Sequence, residues 1–324
     1  MNTVDESSEM SLPSNASISM NPEIFGASLC PFCSCSNWSA AFRRRGRVFH
    51  RCDNCGARLQ LQPILKPEWE SYESGEFASR IIAHLGTQPD FGKLSEIRCY
   101  LRGKSLLEIG PGTGHLLAAA AADGFRVAGI DLSSANREFI RDTWGIDTLS
   151  APIEANELPE NSQDNVVSFN CLEHIPNVRA HVAAVARVLV PGGRFFISTC
   201  NANALAARIV GKWWSMYATE DHVCIPTATS LHKLGALVGL QPLRIWSSEY
   251  PLETPAGVLV ALISWRQERN ASAAQNEASA SPISHGSAVS AARRMIKSKW
   301  FAPVGNSISA FGLGGSIKVV YCKP

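Results

Sequence analysis

The feature that most constrains this sequence is a glycine-rich turn that directly follows a short apolar segment. Residues 105–109 read Ser-Leu-Leu-Glu-Ile, and glycine occupies positions 110, 112 and 114 before an alanine- and leucine-rich segment begins. Because glycine lacks a Cβ, the backbone can turn tightly there and a ligand can lie directly against it. The pattern predicts a strand, a ligand-binding turn and a helix whose free N–H groups point at the ligand.

The same alternation of strand and helix continues along the chain. Short apolar segments predict strands at Ser105–Ile109, Phe125–Ile130, Ile146–Leu149, Val166–Phe169, Arg194–Thr199 (after a turn at Pro191-Gly192-Gly193), Leu240–Trp246 and Ser316–Tyr321. Helical patterns occur at Thr113–Ala122, Ser133–Asp142 with Ser133 as N-cap, the face of Val178, Val182, Val185 and Val188, and Thr227–Val238. This order predicts an α/β fold with a doubly wound, mostly parallel sheet.

The spacing of the glycines separates two classes of cofactor. A dinucleotide fingerprint needs its third glycine five residues after the first, but that position holds His115. Here the third glycine, Gly114, lies only four residues after Gly110. Asp131 ends the second predicted strand, and a carboxylate about 20 residues beyond such a turn suits the hydroxyls of a ribose.

The order Glu108-x-Gly110-x-Gly112-x-Gly114 resembles motif I of class I S-adenosylmethionine-dependent methyltransferases. Three further segments, 153–167, 170–176 and 188–195, resemble the stretches that follow the third and fourth strands and lead to the fifth strand of that family. The resemblance is clear over 101–200 and weaker beyond. It implies a seven-stranded Rossmann-like fold, S-adenosylmethionine as cofactor, and an enzyme that transfers a methyl group.

The resemblance also implies the cofactor-binding residues. Glu108 would order the ammonium group at the amino-acid end, Glu154 would lie near the adenine, and Asn170 would face the amino-acid end. The implied set is Glu108, Gly110, Gly112, Gly114, Asp131, Leu132, Glu154 and Asn170. Related quinone O-methyltransferases that use a metal carry Glu-x-x-Glu-His, whereas this chain has Asn170 at the first position. We therefore do not expect a catalytic metal there.

Two histidines are candidate bases. Methyl transfer to a hydroxyl or an acidic carbon requires a base, and histidine titrates near neutral pH. His174 follows the fourth predicted strand, and His222 follows the Trp213-Trp214 pair. Alternatively, His174 orders a loop and His222 is a buried, hydrogen-bonded side chain. Trp213, Trp214 and Tyr217 either line an acceptor pocket or pack in the core.

Five of the ten cysteines lie between positions 30 and 55. Cys30-x-x-Cys33 and Cys52-x-x-Cys55 are separated by eighteen residues, a spacing that lets two knuckles converge on a tetrahedral ion. The pattern predicts a closed, structural zinc site in a zinc-ribbon-like segment, residues 29–62, which we call the cysteine module. Cys35 is a spare ligand candidate.

The cysteine module also carries the run Arg43-Arg44-Arg45-Gly46-Arg47. With a net charge of only +2, we favour a solvated hairpin tip over a phosphate-binding site. A small-molecule acceptor (a sugar, a glycan, or a natural-product or quinone-type intermediate) is accordingly the leading hypothesis. The alternatives are an RNA methyltransferase that docks through the cysteine module, and a non-catalytic interaction protein that binds the cofactor.

The remaining organisation follows from composition. We expect a disordered tail at 1–28, a helical connector at 63–100, and a methyltransferase domain at 101–324 with a flexible Ala/Ser-rich insertion at about 266–292. No signal-peptide pattern and no apolar run of about 18 residues occur, so we expect a cytoplasmic protein. The basic segment 291–301 is expected to pack on the domain, with peripheral membrane contact as the alternative.

Overall fold

The computed structural model describes residues 29–44, 47–60, 81–83, 86–219, 221–248, 266 and 309–324. The predicted tail at 1–28, nearly all of the insertion at 266–292, the basic segment at 291–301 and much of the helical connector lie outside the described residues. Those expectations stay predictions.

A seven-stranded sheet forms the centre of the fold. Its strands are β4 (Ser105–Ile109), β5 (Arg126–Ile130), β6 (Thr148–Leu149), β7 (Gln163–Phe169), β8 (Leu189–Cys200), β10 (Gln241–Ser248) and β11 (Ser316–Cys322). They lie in the order β10-β11-β8-β7-β4-β5-β6, and β11 alone among these strands runs antiparallel to both of its neighbours. The predicted Rossmann-like fold with a mostly parallel sheet is confirmed.

Six helices whose full bounds lie among the described residues accompany the sheet. They are α1 (Phe91–Ile97), α2 (His115–Ala122), α3 (Ser134–Trp144), α4 (Val178–Val188), α5 (Leu205–Val210) and α6 (Ala228–Leu237). Ser133 caps α3 as predicted, because its hydroxyl accepts a hydrogen bond from the Asn136 N–H at 3.2 Å. Thr227 caps α6 through a reciprocal pair of hydrogen bonds with Ser230.

The helices cover the sheet on both faces, which explains the unbroken apolar character of its central strands. Every residue of β4 is buried. Leu107 packs in the same cluster as Val182 and Val185 of α4, whereas its neighbour Leu106 packs with Leu117 of α2 on the other face. Strand β4 therefore lies inside a core that packs against both of its faces.

The predicted turn at Pro191-Gly192-Gly193 lies within β8, at an irregular stretch where the pairing with β7 passes from Gln163–Leu189 to Asn165–Arg194 and Gly192 has φ +78°. The Gly192 N–H donates to the Lys323 carbonyl at 2.8 Å, and the Lys323 N–H donates to the Gly193 carbonyl at 3.1 Å. These hydrogen bonds tie the irregular stretch to Lys323, a distant partner that the local sequence pattern does not predict.

The cysteine module contributes a second sheet. Strands β1 (Trp38–Arg44), β2 (Arg47–Cys52) and β3 (Arg58–Gln60) form an antiparallel meander, and β9 (Cys224–Ile225) pairs with β3. The order β1-β2-β3-β9 thus joins the module to the methyltransferase portion of the chain. Phe49 of β2 packs in one cluster with Trp214, Tyr217 and Ile225.

No helix among the described residues is long and apolar enough to cross a membrane.

The glycine-rich turn makes a stability prediction. Gly114 has φ +72°, and a Cβ added there would lie 2.9 Å from Ile140 Cγ1. Gly124 has φ +85° with no atom within 4 Å of an added Cβ, so Gly124→Ala tests backbone strain alone, about 1 kcal/mol. We expect Gly114→Ala to lower the free energy of unfolding by about 1–3 kcal/mol more, measured by urea denaturation. Equal losses in the two variants would contradict the predicted clash.

Candidate active site

The glycine-rich turn lies at the carboxyl end of β4, where open α/β sheets bind ligands. Gly110, Gly112 and Gly114 all have positive φ, at 68°, 58° and 72°. The Gly110 N–H donates to the Ile130 carbonyl at 2.8 Å, which holds the turn against the end of β5. A Cβ on Gly110 would lie 3.1 Å from the Cys171 sulfur, so the residue type is set by both conformation and space.

Asp131 ties this turn to the next helix. Its Oδ2 accepts the Gly112 N–H at 3.0 Å, and its Oδ1 accepts the Ser133 N–H at 3.0 Å. Burial raises the pKa of Asp131, and these hydrogen bonds oppose the rise. The adjacent Leu132 is 48% exposed. A carboxylate beside an exposed apolar side chain fits the ribose and one face of an adenine.

Glu108 lies in β4 directly beneath the turn and is only 1% exposed. Its Oε2 has no hydrogen-bond partner among the described residues. Burial raises the pKa of Glu108 to about 7, and the positive charge of Lys93 acts in the opposite direction. A buried carboxyl with a free oxygen is costly by itself. The site therefore fits a cationic partner, such as the ammonium group at the amino-acid end of the cofactor.

Glu154 and Asn170 lie at the same edge of the sheet in different settings. Glu154 sits in a short 3-10 helix after β6, and its Oε1 lies 3.1 Å from His181 Nδ1 of α4. Burial would raise the pKa of Glu154, but the contact with His181 outweighs it and lowers that pKa. Asn170 is exposed, has φ +51°, and donates its N–H to the Ser198 carbonyl at 2.8 Å.

The two predicted histidines lie together, although they come from different loops. Their rings are 4.9 Å apart between centroids. His174 Nδ1 lies 2.8 Å from Asp221 Oδ2. His222 Nδ1 lies 2.9 Å from the Met216 carbonyl. Because a carbonyl only accepts, His222 Nδ1 carries the proton and Nε2 is left as an acceptor.

The charges around the histidines move their pKa values in opposite directions. Burial alone would lower the pKa of His174, but Asp221 and the charge of Glu173 outweigh it and raise that pKa. Burial and the neighbouring His174 lower the pKa of His222, with Glu173 and Asp221 opposing. A pair with separated pKa values is the usual arrangement of an acid–base site.

Sequence reasoning missed two carboxylates of this cluster as site residues. Glu173 is buried, and its carboxylate accepts the Thr199 hydroxyl at 2.7 Å and lies 3.6 Å from the Cys200 sulfur. Asp221 holds His174. Each carboxylate directly precedes a histidine in the sequence, and that adjacency was the available signal.

Cys171 connects the glycine-rich turn to the histidine cluster. Its side chain fills the space that a Cβ on Gly110 would occupy, and it lies three residues before His174. Burial raises the pKa of the Cys171 thiol to about 12, and the charges of Glu173, Asp131 and Glu154 contribute to the rise. The segment after β7 is therefore shared between the turn and the candidate base.

The four predicted metal ligands converge at one point. Cys30 and Cys55 have their sulfurs 3.7 Å apart, those of Cys33 and Cys52 are 3.5 Å apart, and all four lie within 4.8 Å of one another. Sulfurs on a tetrahedral zinc ion with bonds of about 2.3 Å are about 3.8 Å apart. The Cys35 sulfur instead accepts the Asn37 N–H at 3.4 Å. The set fits a closed zinc site.

Side chains of the methyltransferase portion hold the two cysteine loops. Arg179 of α4 donates to the Cys30 carbonyl at 2.9 Å and to the Pro31 carbonyl at 3.0 Å. The Thr227 hydroxyl donates to the Cys55 carbonyl at 2.6 Å. The cysteine module is thus fixed against the helices that follow β7 and β9.

The expectation of a solvated hairpin tip is wrong for two arginines of the basic run. Arg44 is 7% exposed, and its guanidinium lies 4.5 Å from the centre of the Trp213 ring. Arg47 donates to the carbonyls of Thr219 and Tyr217 at 2.8 and 2.9 Å. Both arginines hold the segment after β8, a long-range contact that composition does not reveal.

The aromatic residues of that segment were expected either to line an acceptor pocket or to pack in the core. Trp214 and Tyr217 are each 2% exposed and belong to the core cluster around Phe49. Tyr217 also lines a cavity between this segment and the cysteine module. Trp213 is half-buried and carries Arg44 and Lys212 on its ring.

Comparison with known proteins agrees with this geometry. A family model described as "Methyltransferase domain" matches residues 78–245, more than half of the chain. The chain belongs to this methyltransferase domain family. The match includes the glycine-rich turn, Asp131 and the histidine cluster, so S-adenosylmethionine is the cofactor that this family membership supports.

Two relatives are similar in sequence to part of the chain. The chain is 34% identical over 142 residues to the ubiquinone biosynthesis O-methyltransferase of Idiomarina loihiensis, covering 41% of this chain and 56% of that protein. The corresponding enzyme of Aeromonas salmonicida is 33% identical over 153 residues, covering 43% and 64%. The chain thus spans less than two thirds of either relative.

A solved S-adenosylmethionine-dependent methyltransferase of Thermotoga maritima superposes with a TM-score of 0.51. It is 14% identical and covers 79% of this chain and 100% of that one. This likeness establishes the shared fold.

The raised pKa of Glu108 predicts a pH-dependent effect of Glu108→Gln. The carboxyl titrates at about 7 when folded and at 4.5 ordinarily, so the folded chain binds the proton more tightly and loses stability as pH rises between these values. Glutamine does not ionise. Relative to wild type, Glu108→Gln should therefore be more stable at pH 8 than at pH 5, by about 2–3 kcal/mol.

Thermal and urea unfolding at both pH values measure this difference. Glu138→Gln removes an exposed carboxylate of α3 and should show no such change. If Glu108→Gln changes stability by the same amount at pH 5 and pH 8, the pKa of Glu108 is not raised by burial.

Proposed function

We propose that the protein transfers a methyl group from S-adenosylmethionine to a hydroxyl or carbon of a small molecule. A sugar, a glycan, or a natural-product or quinone-type intermediate is the acceptor class. The observation that carries the proposal is the His174–Asp221 pair, 2.8 Å apart, in the loop that follows Cys171 and the donor turn. The two relatives named as quinone-pathway O-methyltransferases support an oxygen acceptor.

On the donor side, the chain binds and orients the cofactor. Glu108 and Asn170 hold its amino-acid end, and the glycines of the turn let it approach the backbone. Asp131 takes the ribose hydroxyls, while Leu132 and Glu154 border the adenine. Because displacement at a good leaving group depends mainly on alignment, these contacts supply most of what the reaction needs from the donor site.

On the acceptor side, the chain manages one proton. S-adenosylmethionine supplies an electrophilic methyl group when bound. His174 removes the proton from the acceptor hydroxyl or carbon, and Asp221 orients the imidazole and stabilises its charged form. His222 stays neutral and presents Nε2 to the same space. Asn170 stands where related metal-dependent enzymes carry a carboxylate, and we assign proton removal to His174.

The cysteine module binds one structural zinc ion through Cys30, Cys33, Cys52 and Cys55. Four thiolates leave no open position, so the ion would supply stability and no chemistry. Its contribution would be to hold β1–β3 rigid against the acceptor side of the site.

An acceptor screen tests the proposed activity. Purified protein is incubated with methyl-labelled S-adenosylmethionine and the small-molecule fraction of a cell extract, and labelled products are identified by mass. We expect a labelled small molecule with wild type. His174→Gln should lower the rate by about 10²–10⁴-fold, with cofactor affinity unchanged. His232→Gln, an exposed histidine of α6, is the matched control.

The pH dependence of the rate sharpens this test. Because Asp221 raises the pKa of His174, kcat/KM should rise with pH through that elevated pKa as the base loses its proton. Asp221→Asn should lower the pKa of His174 and move the limb to lower pH, by about one pH unit. If the rising part of the kcat/KM profile does not shift in Asp221→Asn, or if His174→Gln keeps full activity, His174 is not the base.

Metal analysis tests the zinc site. Wild type should contain one zinc per chain by atomic emission, and Cys33→Ser should lose it and unfold at a lower temperature. Cys35→Ser removes a nearby cysteine outside the four-sulfur set and should keep the metal. Equal zinc loss in both variants, or no zinc in wild type purified without chelator, would refute the assignment.

A further inference from the structure

A cavity of about 510 Å³ lies between the cysteine module and the segment that follows β8. Four basic side chains line it: Arg51 and Arg58 from the module, and Arg208 and Lys212 from the opposite wall. No carboxylate is among the described residues that line it. Phe42, half-buried, supplies an apolar patch. A concave site of this volume suits a small molecule.

None of the four basic side chains forms an ion pair with a carboxylate of the described residues. Burial lowers the pKa of Arg58; Tyr217 opposes this, and the like charge of Arg51 adds to it. Like charges held together in a recess repel each other, and a bound anion relieves that repulsion.

Two other arginines of the cysteine module are already occupied by the segment after β8. Arg44 lies against Trp213, and Arg47 is occupied by the carbonyls of Tyr217 and Thr219. Arg44 and Arg47 therefore hold the wall of the cavity in place, whereas Arg51 and Arg208 line it with exposed side chains.

The cavity adjoins the candidate base through a short chain of contacts. Tyr217 and Ala202, which line it, belong to the same buried cluster as Cys200. The Cys200 sulfur lies 3.6 Å from the carboxylate of Glu173, the residue before His174. Only this layer of packed side chains therefore separates the lining of the cavity from the residue next to the candidate base.

We propose that this cavity binds the phosphate or diphosphate group of the acceptor, so that the acceptor is a small phosphate ester whose methyl-accepting atom reaches His174. This inference rests on the proposed function, because it names the substrate class of that same site. Arginine guanidinium groups bind phosphate oxygens in pairs, and Lys212 adds a point charge. The cysteine module would then help to bind the anionic group of the acceptor.

Calorimetric titration of the full-length, zinc-loaded protein with inorganic pyrophosphate tests the inference. We expect saturable binding with one site per chain. Arg51→Gln and Arg208→Gln should each weaken it by about tenfold, the loss of one charge-assisted contact. Arg141→Gln removes an exposed arginine of α3 with 58% side-chain exposure and should leave the affinity unchanged.

The same samples are titrated with S-adenosylmethionine, which separates this inference from the proposed function. Cofactor affinity should be unchanged in all three variants. Pyrophosphate binding without cofactor binding would overturn the proposed function and leave the anion site standing. Cofactor binding without pyrophosphate binding, or equal weakening by Arg141→Gln, would overturn the anion site. Tight, salt-sensitive binding of an RNA oligomer in place of pyrophosphate would also overturn it.

Discussion

The arrangement of the site depends on the backbone of Val223. Its carbonyl accepts the Gln60 N–H from the cysteine module at 2.8 Å, and its own N–H donates to the Glu173 carbonyl at 2.8 Å. One residue therefore joins the last strand of the module to the loop that carries His174. The pairing of Leu59 with Cys224 extends this junction. His222 directly precedes Val223 in the chain. The backbone of Val223 therefore fixes the cysteine module, His222 and the loop that carries His174 relative to one another.

On the donor side, two buried carboxyl groups differ in their hydrogen bonding. Glu108 is buried with an unpaired oxygen, and burial raises its pKa to about 7; a polar residue in that state lowers the stability of the empty protein. Asp131 is buried too, but hydrogen bonds from Gly112 and Ser133 hold it. The first carboxyl is open to a cation, and the second is already positioned. Sites that bind ligands commonly retain such destabilising groups.

Local pattern predicted most of the methyltransferase portion. The strand at Ser105–Ile109 and the cap at Ser133 are where the sequence placed them, because apolar periodicity and side-chain capping act over a few residues. The four-cysteine cluster followed from spacing for the same reason. Eight predicted cofactor contacts and two predicted bases lie at the carboxyl edge of the sheet, and their roles stay predictions.

What the sequence could not supply was long-range pairing. Strand β9 is two residues long, too short for any alternating pattern, yet it joins the cysteine module to the rest. Arg44 and Arg47 look like solvent-exposed charges until their partners, distant in sequence, are known. The role of Asp221 can be inferred only from its position beside His174. Each of these features depends on contacts between segments that are far apart in the sequence, and local patterns do not predict such contacts.

The most direct test of the central claim is a crystal structure of the protein with S-adenosylhomocysteine. We predict that the amino-acid end of the ligand lies against Gly110 and Glu108, that its ribose lies on Asp131, and that its sulfur faces the side of the site that holds His174. A ligand bound away from the glycine-rich turn, or with its sulfur facing away from His174, would contradict the account.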